Sequence, residues 1–150
     1  MVTKYGTVDP EGLTQRIRDA SRLLFLRGSN GQVVAVGALK RPQLSYRRKV
    51  FAKARATTPS DEYRVELGWV AVARSHRGRG LSRRIIGQLI SLAANENLFA
   101  TTRADERAMR FAADCGFKPA GYPYPSGSGY DLVLYLRNAE ETKQAVLRDE

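Results

Sequence analysis

A short segment in which arginine and glycine alternate has the residue types of an anion-binding loop. Arg77-Gly78-Arg79-Gly80 follows an apolar run and precedes a segment of helical periodicity that begins at Leu81. The first amide groups of a helix have no partner within the helix, and with the helix dipole they attract negative charge. Glycine lets the backbone approach a phosphate, and arginine adds paired donors. The pattern therefore predicts a phosphate-binding loop, with a tight turn that only requires two glycines as the alternative.

A carboxylate lies on the apolar run that leads into this loop. Glu66 opens the stretch Glu66-Leu67-Gly68-Trp69-Val70-Ala71-Val72. Apolar surroundings make a carboxylate a stronger base, as proton abstraction near neutral pH requires. Glu66 is therefore a candidate general base, and a solvated or arginine-paired carboxylate is the alternative.

The chain has one cysteine and one histidine, and neither predicts a separate catalytic centre. Cys115 stands at helical spacing from Phe111, which favours a core position over a nucleophile. His76 has no second ligand at metal-binding spacing, so no metal site is predicted. A single cysteine forms no internal disulfide, and no secretion signal or membrane-spanning run is recognisable, so a cytoplasmic location is expected.

The spacing of apolar residues predicts the elements that position these groups. A helix is predicted from Asp9, as N-cap, to about Ser21, and residues 44–56 fit either a basic helix or a mobile arm. The other predicted helices are 81–94 and a helix capped by Asp105 and closed by Gly116. The predicted strands are 23–27, 32–39, 63–73, 98–102, 117–121 and 130–137, with a loop at 122–129. This order indicates a mixed α/β sheet in a single domain.

The charge of the chain is strongly positive and unevenly distributed. Lys and Arg number 25 against 15 Asp and Glu, which gives a net charge of +10. No acidic residue occurs between Asp19 and Asp61, and within this stretch Tyr46 and Phe51 are interleaved with basic residues. Such a segment is typical of nucleic-acid contact, but a solvated basic surface or a phosphorylated cofactor explains it as well.

Two motifs resemble the GNAT superfamily of acetyl-CoA-dependent N-acyltransferases. Arg77-Gly78-Arg79-Gly80 matches the core of the family signature Gln/Arg-x-x-Gly-x-Gly/Ala, although one position departs from the signature in each register. The segment from Arg103 to Phe117 is similar to the family's later strand-helix-strand, which ends in Gly-Phe. The resemblance implies a mixed, mostly antiparallel central sheet flanked by helices, in one acyltransferase domain over residues 1–137 with a charged tail at 138–150.

The resemblance also implies roles for individual residues. The pyrophosphate of acetyl-CoA would be held by Arg77, Gly78, Arg79, Gly80, Leu81 and Ser82, and its pantetheine arm would pair with Val70, Ala71 and Val72. Glu66 matches the general base of the histone acetyltransferase branch. Ala112 stands where the family often has a tyrosine that protonates the leaving thiolate, and Tyr122 and Tyr124 are candidates to replace it.

By this resemblance, the activity is transfer of an acetyl or other acyl group from its CoA thioester directly to an amine, by a monomer or homodimer without a membrane partner. The positive charge favours an anionic or nucleic-acid-associated acceptor over a polycationic one. Two alternatives remain open at this point. One is a GNAT-like enzyme that modifies nucleic-acid bases with an acyl-CoA, and the other is an inactive GNAT-fold module that binds CoA or nucleic acid.

Overall fold

The computed structural model describes residues 11–93, 95–104 and 108–139. The helices are α1 (Leu13–Arg18), α2 (Leu44–Lys53), α3 (Leu81–Leu92) and α4 (Ala108–Asp114). The strands are β1 (Arg22–Arg27), β2 (Val33–Lys40), β3 (Val65–Val72), β4 (Leu98–Arg103), β5 (Lys118–Pro125) and β6 (Asp131–Arg137). The sheet has the strand order β1-β2-β3-β4-β6-β5 and is mostly antiparallel. The predicted mixed α/β fold class is confirmed.

The chain forms two compact units, and the first combines Leu67–Leu92 with the described part of Met1–Arg41. Within it, β1 and β2 form an antiparallel hairpin in which Leu23 pairs with Ala38 and Phe25 with Val36. The hairpin predicted at 23–27 and 32–39 is therefore confirmed.

Helix α3 packs on β2 through one apolar face. Ile85 and Leu89, four residues apart and hence on the same side of the helix, are both fully buried. Their close approach requires a glycine in β2, because a Cβ atom at Gly37 would lie 2.4 Å from Cγ2 of Ile85 and 3.0 Å from Cδ1 of Leu89. Leu92, three residues further along the helix, is 53% exposed, since the helix ends at this residue.

The second unit combines Pro42–Glu66 with the described part of Ala93–Glu150. The start of β3 runs parallel to β4, with Val65 opposite Leu98 and Glu66 opposite Phe99. Strand β6 is antiparallel to both β4 and β5. The core of this unit contains Val50, Phe51, Ala54, Tyr63, Phe99, Tyr124, Leu134 and Leu136.

The segment that the sequence left open between a helix and a mobile arm is the helix α2. Val50 and Phe51 are buried, and the ring of Phe51 lies 5.7 Å from that of Phe99 between centroids. Nη1 of Arg47 also donates to the carbonyl oxygen of Ser60 at 2.9 Å. These apolar and polar contacts order the segment despite its high positive charge.

Strand β5 extends into the segment predicted as a loop at 122–129, so that prediction is wrong for residues 122–125 and confirmed for residues 126–129. It pairs with β6, and the register shifts between Ala120 and Tyr124. β5 is an edge strand, where Pro123 and Pro125 are tolerated because one side of the strand needs no amide donors. Proline and glycine content alone therefore does not distinguish an edge strand from a loop.

Only some of the predicted helix ends lie within the described residues. Gly116 has a φ of 82° and closes α4 as predicted, with the amide of Phe117 donating to the carbonyl of Ala112 at 2.9 Å. Asp9 and Asp105, predicted as N-caps, lie outside the described residues. The predicted division into a domain at 1–137 and a tail at 138–150 stays a prediction.

Replacing Gly37 with alanine tests the close packing of α3 on β2. The added methyl group collides with Ile85 and Leu89, so we expect Gly37→Ala to lower the free energy of unfolding by about 1–3 kcal/mol. Gly87→Ala is the matched control, because an added Cβ there meets nothing within 4 Å. This exposed position in α3 should gain about 0.5–1 kcal/mol from helix propensity. Urea denaturation measures both, and equal stabilities for the two variants would contradict the prediction.

Candidate functional site

Strand β3 leads directly into the loop of alternating arginine and glycine. Immediately after the strand, the amide of Ala73 donates to the carbonyl of Val34 in β2 at 2.8 Å. A single 3-10 turn follows at Arg74–His76. Nε of Arg77 then donates to the carbonyl of Val72 at 3.4 Å. The start of the loop is therefore fixed to the end of the strand.

The two glycines of the loop border open space. Gly78 and Gly80 have φ angles of 75° and 73°, which side chains with a Cβ rarely adopt, and an added Cβ atom would meet nothing within 4 Å. The carbonyl of Gly80 accepts the amide of Arg84 at 3.0 Å as α3 begins. Because Arg77 and Arg79 are exposed beside these glycines, the loop combines backbone donors, positive charge and room for an anion.

A groove of about 540 Å³ adjoins the loop within the first unit. Its basic lining residues are Arg27, His76, Arg79 and Arg84. The ring nitrogen Nδ1 of His76 lies 2.8 Å from Oγ of Ser75. The groove therefore continues the positive character of the loop and suits an anionic ligand.

The residues predicted to contact the pantetheine arm lie at the end of β3, just before the loop. Ala71 is buried, and Val70 and Val72 are half-buried. Trp69, which precedes them, has a φ of 53°, and Nζ of Lys40 lies 4.9 Å from its ring centroid. A left-handed residue inside a strand interrupts the strict alternation of its side chains. The orientation of Val70–Val72 therefore does not follow from the pattern upstream of Trp69.

Glu66 belongs to the second unit and is only 4% exposed. The hydroxyl of Tyr46 in α2 donates to its Oε1 at 3.4 Å. Tyr124 of β5 is also buried, and its burial together with the negative charge of Glu66 raises the pKa of Tyr124 to about 12. A buried carboxylate therefore lies near two tyrosines from different elements. The alternative of a solvated Glu66 is wrong.

Sequence reasoning missed Tyr46 as a partner of Glu66. In the sequence, Tyr46 is an aromatic residue within a basic segment, a pattern that indicates nucleic-acid contact and not a partner for a carboxylate. The two tyrosines proposed to replace the one absent at Ala112 differ sharply, since Tyr122 is 64% exposed and Tyr124 is 6% exposed. Burial and the charge of Glu66 raise the pKa of Tyr124.

Cys115 lies between α4 and β5 and is half-buried. Its carbonyl oxygen accepts a hydrogen bond from Nε of Arg137 at 3.1 Å. Arg137 is 6% exposed, and its burial lowers the pKa of the guanidinium. This arrangement places a cation at the C-terminus of α4, which stabilises a helix. The role it supports for this segment is structural.

The described residues do not contain a cluster of three or more His, Cys, Asp or Glu side chains placed to bind a metal ion. Among the same residues, none of the helices is both long enough and apolar enough to cross a membrane.

Solved structures of acetyltransferases share this fold. A structure named as histone acetyltransferase HPA2 and related acetyltransferase from Corynebacterium glutamicum superposes with a TM-score of 0.64, at 20% identity over 92% of this chain and 81% of that chain. An acyl-CoA N-acyltransferase from Pseudomonas aeruginosa gives a TM-score of 0.56, at 17% identity over 77% and 66%. A spermidine N-acetyltransferase chimera from Vibrio cholerae and hSSAT gives 0.58, at 15% identity over 87% and 75%.

The sequence identifies the family directly. Residues 3–117 match the acetyltransferase (GNAT) family, and the chain belongs to it. Members of this family generally use acetyl-CoA as cosubstrate. An uncharacterized protein of Mycobacterium leprae is 35% identical over 86 residues, which are 55% of this chain. The match spans 23% of the length of that relative.

Removing the charge of Glu66 should change the titration of Tyr124. In Glu66→Gln the pKa of Tyr124 falls below about 12 but stays above the ordinary 10.0, because the burial persists. The absorbance of tyrosinate measures this shift, taken as the difference between each protein and its Tyr124→Phe counterpart. Glu62→Gln, which neutralises an exposed carboxylate nearby in sequence, is the control. An unchanged titration in Glu66→Gln would contradict the electrostatic effect of Glu66 on Tyr124.

The same raised pKa makes stability depend on pH. Folding favours the neutral phenol, so the folded protein binds more protons than the unfolded chain between the two pKa values. The contribution of Tyr124 to the free energy of unfolding is therefore fully present below about pH 10 and is lost as the pH rises towards 12. Urea denaturation across this range should show a smaller loss of stability for Tyr124→Phe than for the native protein.

Proposed function

We propose that this protein transfers an acetyl group from acetyl-CoA directly to an amine acceptor. The observation that carries the proposal is the loop at Arg77–Gly80. It begins a helix, contains two left-handed glycines beside open space, and belongs to a chain of the GNAT family. This combination provides donors and positive charge for a pyrophosphate without a Walker-type lysine.

The residues proposed to bind acetyl-CoA fall into two sets. The phosphates are held by Arg77, Gly78, Arg79, Gly80, Leu81 and Ser82, and the pantetheine arm by Val70, Ala71 and Val72. The first unit suits the phosphates of acetyl-CoA because it provides exposed guanidinium groups, glycines that border open space and the start of a twelve-residue helix. Acetyl-CoA supplies an acetyl group activated as a thioester.

Glu66 is the proposed general base. An ammonium group has no lone pair for attack, so an amine must lose a proton to become a nucleophile. As the nitrogen–carbon bond forms and the carbon–sulfur bond breaks, the proton passes to the carboxylate of Glu66. Burial of Glu66 and the hydrogen bond from Tyr46 hold that carboxylate in one orientation. Tyr46 is therefore proposed as a positioning residue.

The leaving thiolate does not require a strong acid in this proposal. A phenol whose pKa is raised to about 12 is a poorer acid than an ordinary tyrosine, which argues against Tyr124 as the proton donor. Thiols ionise near pH 8.5, so a thiolate leaves readily and takes its proton from solvent. Tyr124 instead remains a neutral neighbour of Glu66. This assignment also explains how the chain functions with Ala112 in place of the family's frequent tyrosine.

The acceptor is proposed to be an amine on an anionic or nucleic-acid-associated molecule. The net charge of +10 disfavours encounter with free polycations and favours encounter with polyanions. We also propose a cytoplasmic location, as expected for a chain with a single cysteine. We propose that the protein is a monomer or a homodimer. We also propose that residues 1–137 form a single acyltransferase domain.

Binding of acetyl-CoA should raise the thermal midpoint of the native protein. At about 100 times its dissociation constant, a ligand stabilises by roughly 2.7 kcal/mol, or about 5–11 °C for a chain of this size. In Gly80→Glu the rise should disappear, because a negative charge and a side chain occupy the open space beside the loop. Differential scanning fluorimetry measures both shifts.

A second glycine provides the matched control for this experiment. Gly129 also has a positive φ, of 85°, and an added Cβ there also meets nothing within 4 Å. Gly129→Glu therefore introduces the same charge and a similar backbone strain outside the proposed loop. It should retain the rise with acetyl-CoA. The absence of a rise in the native protein would refute the cofactor assignment.

Replacing Glu66 should slow catalysis without weakening cofactor binding. The native protein is first screened against amines on peptides, nucleotides and polyamines, with release of the free thiol of CoA as the signal. With an acceptor found in this way, we expect Glu66→Gln to lower kcat by about 10²–10⁴-fold. Its thermal shift with acetyl-CoA should match that of the native protein. Glu62→Gln, at an exposed position, should retain kcat, and full activity in Glu66→Gln would exclude Glu66 as the base.

A further inference from the structure

Helix α2 presents a stripe of positive charge on its exposed side. Its buried residues are Val50 and Phe51, whereas the exposed positions recur at helical spacing. These exposed positions are Ser45, Tyr46, Arg48, Lys49, Ala52 and Lys53. The helix contains no acidic residue between Leu44 and Lys53. We call Arg48, Lys49 and Lys53 the α2 cationic stripe.

The stripe does not stabilise its own helix. Lys49 and Lys53 are four residues apart, and like charges at this spacing destabilise a helix by about 0.2–0.5 kcal/mol. Arg48 lies 4.0 Å from Asp61, but both side chains are 64% exposed, so this ion pair contributes little. A bound polyanion would relieve the repulsion, which makes the stripe a surface complementary to phosphate groups.

An exposed aromatic ring lies at the C-terminal end of the same helix. The amide of Tyr122 in β5 donates to the carbonyl of Ala54 at 2.7 Å, and the guanidinium of Arg55 lies 5.7 Å from the ring centroid of Tyr122. A Cβ atom at Gly121 would lie 1.9 Å from the same carbonyl oxygen, so only glycine permits this close approach. The end of α2 is thereby fixed against β5, with Arg55 beside an aromatic ring that is 64% exposed.

We propose that the α2 cationic stripe, together with Arg55 and Tyr122, binds single-stranded nucleic acid. The cations contact successive phosphates, and the face of Tyr122 stacks on an unpaired base. A combination of backbone-tracking cations and an accessible aromatic ring is typical of surfaces that bind single strands without sequence preference. A duplex would leave Tyr122 without a role, because the faces of its bases are already stacked. All of these residues belong to the second unit.

The salt dependence of binding tests the stripe. Fluorescence anisotropy with labelled oligothymidylate and oligouridylate gives the binding constant at a series of KCl concentrations, without acetyl-CoA. Each phosphate contact contributes about 0.7 to the slope of log K against log salt for single strands. We therefore expect the triple variant Arg48→Gln, Lys49→Gln, Lys53→Gln to reduce the slope by about 2 for both oligonucleotides.

A matched triple variant separates the stripe from net charge. Arg18→Gln, Arg22→Gln, Arg110→Gln removes three exposed positive charges from other elements and should leave the slope nearly unchanged. An equal reduction by both triple variants would show that net charge alone is responsible and would overturn the proposal. Failure of the native protein to bind either oligonucleotide at low salt would overturn it as well. Binding of one oligonucleotide but not the other would show a preference between the two kinds of single strand and would support the surface.

The stacking role of Tyr122 has its own test. Tyr122→Ala should weaken binding to oligothymidylate by about fivefold or more, whereas Tyr122→Phe should retain it, because stacking needs the ring and not the hydroxyl. Neither variant should alter binding to heparin, a polyanion without bases. Equal losses for the oligonucleotide and heparin, or no loss for either, would overturn the single-strand assignment. Since these measurements use no acetyl-CoA, their outcome is independent of the proposed acetyl transfer.

Discussion

The packing of α3 against β2 is the contact on which the proposed cofactor loop depends. Gly37 lets Ile85 and Leu89 approach the strand so closely that no other residue fits there without a shift. Burial of these two side chains fixes the helix, and the helix in turn fixes its first turn and the open glycines before it. A loop that binds an anion through its backbone needs this rigidity, because its donors must point in fixed directions without induced order. The small residue in β2 therefore contributes to function without contacting the ligand.

Burying a carboxylate is costly unless polar partners offset the loss of hydration. At Glu66, one such partner is Tyr46 of α2, whose hydroxyl donates to Oε1. On β5, burial and the charge of Glu66 together raise the pKa of Tyr124. Helix α2 thus faces three different environments. It supplies Phe51 to the core, Tyr46 to Glu66 and the α2 cationic stripe to solvent. Its amphipathic character is therefore distributed over three sides of one short helix.

The sequence patterns predicted those features that depend on local chemistry. The hairpin of β1 and β2, the amphipathic helix α3 and the glycine at the end of α4 follow from turn residues and apolar spacing, and they are confirmed. The predictions failed where tertiary contacts decide the outcome. Strand β5 tolerates three prolines because it is an edge strand. Helix α2 is ordered by the burial of Val50 and Phe51 and by the hydrogen bond from Arg47 to Ser60. The pairing of Tyr46 with Glu66 could not be predicted, because twenty residues separate them and no local pattern links them.

Trp69 is the only tryptophan in the chain, and its left-handed backbone falls immediately before Val70–Val72. Its half-buried indole lies near the ammonium group of Lys40. The emission of an indole depends on nearby charge and on hydration, so this strand carries a single built-in fluorophore. Changes at the end of β3 can thus be followed optically in the unlabelled protein, without a second tryptophan to obscure the signal.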